Sequence, residues 1–345
     1  MKSVLLGMSG GVDSSVSAII LKEAGYNVIG VTMELIPNDG KASNDAKIVC
    51  DKLEIKHYVL DLKDLFKEKV INTFIEEYKN CNTPNPCIYC NKYLKFRAMY
   101  EFAKSIGVDY IATGHYARVE YSKEYGKNVI KKSDAGKKDQ TYVLCNIDRD
   151  VVDHIVFPLS DFKSKDEIRQ IAKEYNLEVA NKPDSEDICF IPDNDYIKFL
   201  EKNNIQGMKH GKIVDTKGTV LGKHQGLHRY TIGQRRGMGI SSSTPLYVIS
   251  LNKKKNELVI GTQDELYTDT VLVKDPNCIL FDNFKNGMKA KAKVRYLAPE
   301  KEATIYINDD NTLTVKFDEK IRAITPGQAI AFYIDDILLG GGIIA

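Results

Sequence analysis

Nothing in this sequence is long and apolar enough to cross a membrane as a helix, because no apolar run approaches the roughly 18 residues that a span requires. The N-terminal stretch carries one charge and a short apolar run, but glycines and then Asp13 interrupt it too soon for a secretory signal. A cytoplasmic protein is therefore expected. Internal repeats and low-complexity linkers are missing, which excludes a repeat array. Net charge is nearly absent as well, at +2 over 345 residues. The contents of 43% hydrophobic and 28% charged residues are those of a globular chain. Seven cysteines are present: Cys50, Cys81, Cys87, Cys90, Cys145, Cys189 and Cys278. In a reducing compartment such a set is seldom a disulfide framework. Metal binding or catalysis is the sharper reading for a few of them, and small buried hydrophobe the plain one for most.

The small net charge conceals an uneven distribution. Residues 202–236 hold eight Lys or Arg against the single acid Asp215, a local excess of seven that leaves the rest of the chain five negative. A basic segment on a slightly acidic body suits phosphate-backbone contact, and a solvated basic surface suits it equally.

The length argues for two or three domains. Strand and helix alternate through the first third: strands at 2–7, 26–32, 56–61 and 109–113, and helices at 14–24, 41–53, 62–79 and 91–105. This pattern predicts an α/β fold built on a doubly wound parallel sheet. Helical patterns return at 164–175, with Ser164 as N-cap, and at 194–202. Beyond about 203 glycines multiply and helix signals fade. From Leu246 onward short strands separated by turns predict a C-terminal β-barrel. The expected parts are 1–203, a small central domain over 204–265, and the barrel over 266–345.

Gly7-Met8-Ser9-Gly10-Gly11-Val12-Asp13-Ser14-Ser15 follows the first strand and opens the first helix. Glycines admit an anion close to the backbone, and the helix N-terminus turns N–H groups and a positive dipole end toward it. Ser9, Ser14 and Ser15 add hydroxyls. No Lys stands where the Walker loop has one, so this is a different phosphate loop. Asp13 beside a phosphate calls for an intervening Mg2+. The string resembles the pyrophosphate loop of the N-type ATP pyrophosphatases.

Further strings narrow the choice. Thr83-Pro84-Asn85-Pro86-Cys87-Ile88-Tyr89-Cys90 fixes an extended loop before a helix, which places Cys90 at or near the helix N-terminus and predicts a lowered thiol pKa. Asp184-Ser185-Glu186-Asp187-Ile188-Cys189 sets another cysteine in an acidic loop. Thr113-Gly114-His115-Tyr116, Gly136-Lys137-Lys138-Asp139-Gln140-Thr141 and His228-Arg229-Tyr230-Thr231-Ile232-Gly233-Gln234-Arg235-Arg236 also stand out. Together, and in this order over essentially the whole chain, they resemble the bacterial tRNA-specific 2-thiouridylases of the MnmA type.

The resemblance implies an ATP-dependent enzyme that adenylates the wobble uridine 2-oxygen of tRNA and replaces it with sulfur. It implies ATP bound by Gly7, Met8, Ser9, Gly10, Gly11, Val12, Asp13, Ser14, Met33 and Gly114. It implies tRNA contacts at His115, Lys138, Asp139 and Gln140, approach to the target base by Asn85, Pro86 and residue 87, and anticodon-arm contacts from Arg295, Tyr296 and Gln328. Cys90 matches the nucleophile, and Cys189 the cysteine that carries a persulfide. A persulfide or sulfide donor protein is the implied partner besides tRNA. A monomer is the expected unit.

One residue departs from the pattern: Cys87 replaces the usual Asp. Two readings stay open. Cys87, Cys90 and Cys189 hold a [4Fe-4S] cluster with one open iron, or Cys87 is a bystander and the persulfide route is intact. Two rivals remain as well. An amide or lysidine synthetase on the same fold would not need Cys90 and Cys189 as a pair, and a non-catalytic RNA-binding protein would not need the phosphate loop.

Overall fold

The computed structural model describes residues 1–37, 40–181, 188–203 and 209–345. The first sheet forms where the sequence alternates apolar strands with helices. Strand β1 (Ser3–Gly7) is central, and its Val4, Leu5 and Leu6 are fully buried. Helix α1 (Val12–Glu23) follows, then β2 (Asn27–Glu34), helix α2 (Lys41–Lys52), β3 (Lys56–Asp61), β4 (Tyr110–Ala112), the hairpin β5 (Arg118–Ser122) and β6 (Lys127–Lys131), and β7 (Ile155–Val156). The parallel strands run in the order β3-β2-β1-β4-β7. Strand order reverses between β1 and β4, the point at which such sheets open a crevice at the carboxyl ends of their strands. The loop after β1 emerges there.

The expected strands and helices of this part are present, and Ser164 caps helix Lys165–Glu174 by accepting from the Glu167 N–H. The expected helix at 91–105 starts earlier. It runs through Pro86–Tyr89, the widened π-helical turns Cys90–Ala98, and Met99–Ser105. Asn85 caps it and Pro86 takes the first helical position, where a missing N–H costs nothing.

The strands from Leu246 onward do not all join one barrel. β8 (Gly211–Asp215), β9 (Val220–His224), β10 (Tyr247–Asn252) and β11 (Glu257–Gly261) make a separate four-stranded sheet in the order β10-β11-β8-β9. Its core gathers Ile213, Leu227, Tyr230, Val248, Leu258 and Ile260, and also Cys81 from the first part of the chain. The barrel proper comprises β12 (Tyr267–Cys278), β13 (Met288–Lys293), β14 (Lys301–Ile307), β15 (Leu313–Arg322), β16 (Ala329–Ile334) and β17 (Ile337–Ile344). Pairing of β12 with β17 closes it.

Hairpin β5–β6 leaves the first part and adds to this sheet through Lys131 opposite Ile337. A second link is glycine-made. A Cβ on Gly341 would stand 2.4 Å from the Ile330 carbonyl and 2.8 Å from Cys145, so only glycine lets the barrel press onto Cys145.

Candidate active site

The loop after β1 takes its shape from close approach. Gly10 has φ of +70°, and a Cβ there would lie 2.7 Å from Cβ of Asp45 on α2. Gly114, just beyond β4, stands against Asp13 and Ser14, whose backbone a Cβ would meet at 3.2 Å. Ser14 Oγ donates to the Gly11 carbonyl at 3.1 Å and accepts from the Ser9 N–H at 3.3 Å. Ser15 was expected to offer its hydroxyl to a ligand. Instead it is fully buried and bonds the Gly11 carbonyl at 2.8 Å, so it serves the helix.

Around the loop lies a cleft of about 400 Å³, within the size range of small-molecule sites. Its lining includes Gly7, Met8, Ser9, Asp13, Ser14, Met33, Gly114, His115, Gln140 and Cys189. The implied nucleotide residues thus meet Cys189, the implied persulfide carrier, and two of the implied RNA contacts in one cavity. Gly10, Gly11 and Val12 shape the loop without lining the cleft, and Val12 is buried.

Asp13 is the only carboxylate among the described lining residues. Its two oxygens are held from different parts of the chain: Tyr116 Oη donates to Oδ1 at 3.0 Å and Lys165 Nζ to Oδ2 at 2.8 Å. One carboxylate facing a phosphate loop is a fitting donor for Mg2+ carried by ATP, which needs few protein ligands. Lys165 was not legible in the sequence, because 152 residues separate it from Asp13. Lys95 was also missed. It lines the cleft, and its charge lowers the pKa of Cys90 and Cys189 against the burial that dominates each shift, while on His115 it acts in the same downward direction as burial.

The thiols correct the expectation for Cys90. Cys87, not Cys90, occupies the first helical turn, where its N–H donates to Asn85 Oδ1 at 3.1 Å. Cys90 lies one turn further in and is buried, so the helix end falls short of it. Desolvation pushes its thiol up to about 12, with Cys189 and Cys87 adding smaller upward contributions. Cys189 is solvent-exposed at the cleft edge, and desolvation first and Cys87 second raise its thiol. Cys90 and Cys189 thus feel the neighbouring thiols electrostatically. Even so, no three Cys, His, Asp or Glu side chains among the described residues stand at metal-ligating spacing. As placed, Cys87, Cys90 and Cys189 are not grouped as ligands of a single metal ion. Asp184 to Asp187 lie outside the described residues. Cys50 and Cys145 are fully buried, as structural cysteines should be.

Several implied RNA contacts are committed within the protein. His115 is buried between Phe96 and Phe157 and bonded through Nδ1 to Thr113 Oγ1 at 2.7 Å, and burial holds it neutral. Asp139 accepts from the Ser133 and Thr141 N–H groups at 2.9 and 3.1 Å. Gln140 Oε1 accepts from the Tyr116 N–H at 2.9 Å. Lys138 is exposed. Arg295 Nη2 donates to the Ala323 carbonyl and to Thr325 Oγ1, Tyr296 packs near Tyr142, and Gln328 Nε2 donates to the Thr83 carbonyl at 2.6 Å. Within the basic segment Arg229 pairs with Glu201, whereas Arg235 and Arg236 are exposed.

A larger cleft of about 810 Å³ lies elsewhere, and its arginines are already paired, Arg97 with Asp148 and Asp150 and Arg149 with Asp282.

A phosphate-type loop at the switch point of a parallel sheet, with Cys189 bordering the same cleft, defines a nucleotide-binding α/β protein equipped for thiol chemistry. Residues 2–193 match the tRNA methyl transferase HUP domain, 197–262 the tRNA methyl transferase PRC-barrel domain, and 268–344 the aminomethyltransferase beta-barrel domain. The chain is 49% identical to tRNA-specific 2-thiouridylase MnmA 2 of Caldanaerobacter subterraneus subsp. tengcongensis, over 99% of this chain and 97% of that one. It is 46% identical to tRNA-specific 2-thiouridylase MnmA of Clostridioides difficile, over 99% and 98%. It is 49% identical to the MnmA protein of Clostridium acetobutylicum, over 99% of both chains. The chain belongs to the tRNA-specific 2-thiouridylase family.

Proposed function

We propose that this protein is a cytoplasmic, ATP-dependent tRNA-uridine 2-sulfurtransferase that converts the wobble uridine of tRNA to 2-thiouridine. The observation that carries this reading is the shared cavity: Cys189 lines the same cleft as the phosphate loop, and Cys90 lies within its electrostatic reach. Residues 1–203 bind and activate, while 204–265 and 266–345 hold the RNA.

In the first step the uridine 2-oxygen attacks the α-phosphorus of ATP, and pyrophosphate departs with its charge met by the loop amides and the α1 N-terminus. Mg2+, held by Asp13 with the phosphates, would supply further charge neutralisation. In the second step the terminal sulfur of a Cys189 persulfide attacks C2, and AMP leaves with the oxygen. Cys90 then attacks Sγ of Cys189, which releases 2-thiouridine and leaves a Cys90–Cys189 disulfide for an external dithiol to reduce. The persulfide sulfur comes from a donor protein. The wobble base must leave its stack to enter the cleft.

The alternative is sulfur held on a [4Fe-4S] cluster at Cys87, Cys90 and Cys189. The place of Cys189 in the cleft with the phosphate loop supports the persulfide. Cys87→Asp separates the two: on the persulfide route the variant thiolates tRNA as the parent does, while on the cluster route anaerobically isolated parent protein is brown and Cys87→Asp loses iron and activity together. An amide or lysidine synthetase would keep full activity with Cys90→Ser or Cys189→Ser.

A further inference from the structure

The segment that carries Asn85, Pro86 and Cys90 is gripped from three sides. Helix Asn72–Lys79 ends at Lys79, and Cys81 then takes a left-handed φ of +63° and buries in the core of the four-stranded sheet. Lys253 of that part bonds Asn80 Oδ1 at 2.8 Å, and Lys274 of the barrel pairs with Glu77 at 2.9 Å. Thr83 is then clamped. Its N–H donates to the Pro326 carbonyl at 2.8 Å, its carbonyl accepts from Gln328 Nε2 at 2.6 Å, and its hydroxyl lies 3.3 Å from that of Thr231.

Gly327, at φ of +90°, packs so close that a Cβ would stand 2.9 to 3.0 Å from Asn82 and Thr83. The clamping turn is itself braced by Arg295, through the Ala323 carbonyl and Thr325 Oγ1. On its other side Gly233 approaches Ala323, where a Cβ would lie at 2.9 Å. After Thr83 only Pro84 and the cap Asn85 precede the helix, which Pro86 opens, and the two prolines make that connection stiff.

We infer that Gln328 and Arg295 are positioning residues for the Cys90 helix. They act through Thr83, so that the barrel and the central sheet, the parts that hold RNA, set where the reactive thiol stands. The inference rests on the proposed thiolation for its kinetic consequence but not for its geometry. The family resemblance implied that the same two side chains touch the anticodon arm. In this structure Arg295 Nη2 is committed to Ala323 and Thr325, and Gln328 Nε2 to Thr83. A loop misplaced by about an ångström costs a reaction that depends on aligned groups far more than it costs binding.

The test compares the full-length parent with Gln328→Glu, which keeps the shape and removes the donor, and with Thr231→Val, which removes the lateral hydroxyl. Hydrogen exchange over residues 80–90 and alkylation of Cys90 are measured without tRNA or ATP. The tRNA dissociation constant and the kcat and KM for thiolation are measured beside them. The inference expects faster exchange and faster Cys90 alkylation in Gln328→Glu, a kcat lower by about tenfold, a tRNA affinity within about twofold of the parent, and smaller changes in the same direction for Thr231→Val. Unchanged exchange and alkylation, with tRNA affinity weakened by the factor lost from kcat/KM, would overturn it and make Gln328 an RNA contact. If the parent fails to thiolate tRNA, the proposed function falls, while the exchange and alkylation comparison still decides whether Gln328 positions the loop.

Discussion

Cys90 should be a poorly reactive thiol in the free enzyme, and the size of the effect can be worked out. An ordinary cysteine titrates near 8.5 and is roughly a quarter thiolate at pH 8. With Cys90 pushed up to about 12, its thiolate fraction at pH 8 is on the order of 10⁻⁴, lower by more than three powers of ten. A more basic thiolate is more nucleophilic, by about 0.4 to 0.5 of a log unit per pKa unit, which recovers about half of that deficit on the log scale. Iodoacetamide should therefore modify Cys90 roughly 50- to 100-fold more slowly than an exposed reference thiol, before any steric protection. The assay is a timed alkylation from pH 7 to 10, quenched and read peptide by peptide in a mass spectrometer. The Cys90 rate should climb about tenfold per pH unit across the whole range, with no plateau. A plateau near pH 7, at a rate above the reference thiol, would mean that the helix N-terminus governs Cys90 and that its burial has been misjudged.

Other outcomes follow from the same geometry. Asp13→Asn should abolish ATP–pyrophosphate exchange while leaving tRNA affinity nearly intact, and Lys165→Met should weaken exchange less, because Lys165 acts by holding Asp13; equal losses of affinity and exchange would place the loop in RNA binding. Neutralising Arg235 and Arg236 should reduce the salt dependence of tRNA binding by up to about one log–log unit per phosphate contact. Arg229→Ala should instead lower the melting temperature with little change in that slope, since Arg229 is paired with Glu201. His57, His115, His224 and His228 all titrate below their ordinary value, with burial as the first cause. The unfolded chain then binds more protons below about pH 6.5, so stability present above that pH should be lost as pH falls, by at most about 1.4 kcal/mol per pH unit for His115. Chemical denaturation of His115→Gln between pH 7 and 5 should show a shallower decline, and a parallel one would refute the assignment.

The parallel sheet was legible because its strands are short apolar runs between amphipathic helices, and the phosphate loop because its glycines and serines sit together in sequence. What escaped notice depends on distance along the chain or on glycine. Strand Ile337–Ile344 carries Gly340, Gly341 and Gly342, residues that weaken a strand signal and find their reason only where the barrel closes over Cys145 and the Ile330 carbonyl. The hairpin Arg118–Ser122 and Lys127–Lys131 could not be assigned to the barrel, because its pairing partner lies some two hundred residues away. Lys165 and Lys95 look like any surface lysine in the sequence, and only the fold brings one to Asp13 and the other beside the thiols. Cys90 was placed correctly on its helix but one turn too near its end. The charge pattern over 202–236 pointed to a basic face without separating Arg229, committed to Glu201, from the two exposed arginines that follow.

The most direct test of the central claim is a single-turnover reaction of the anaerobically purified enzyme with unmodified tRNA, ATP, Mg2+ and a persulfide donor, followed by nucleoside analysis of the tRNA and quantification of AMP and pyrophosphate. The account predicts 2-thiouridine at the wobble position with AMP and pyrophosphate formed in equal amounts, and no thiouridine from Cys90→Ser or Cys189→Ser although both still release pyrophosphate. Thiouridine formed without AMP, or formed by the Cys189→Ser variant at the parent's rate, would contradict it.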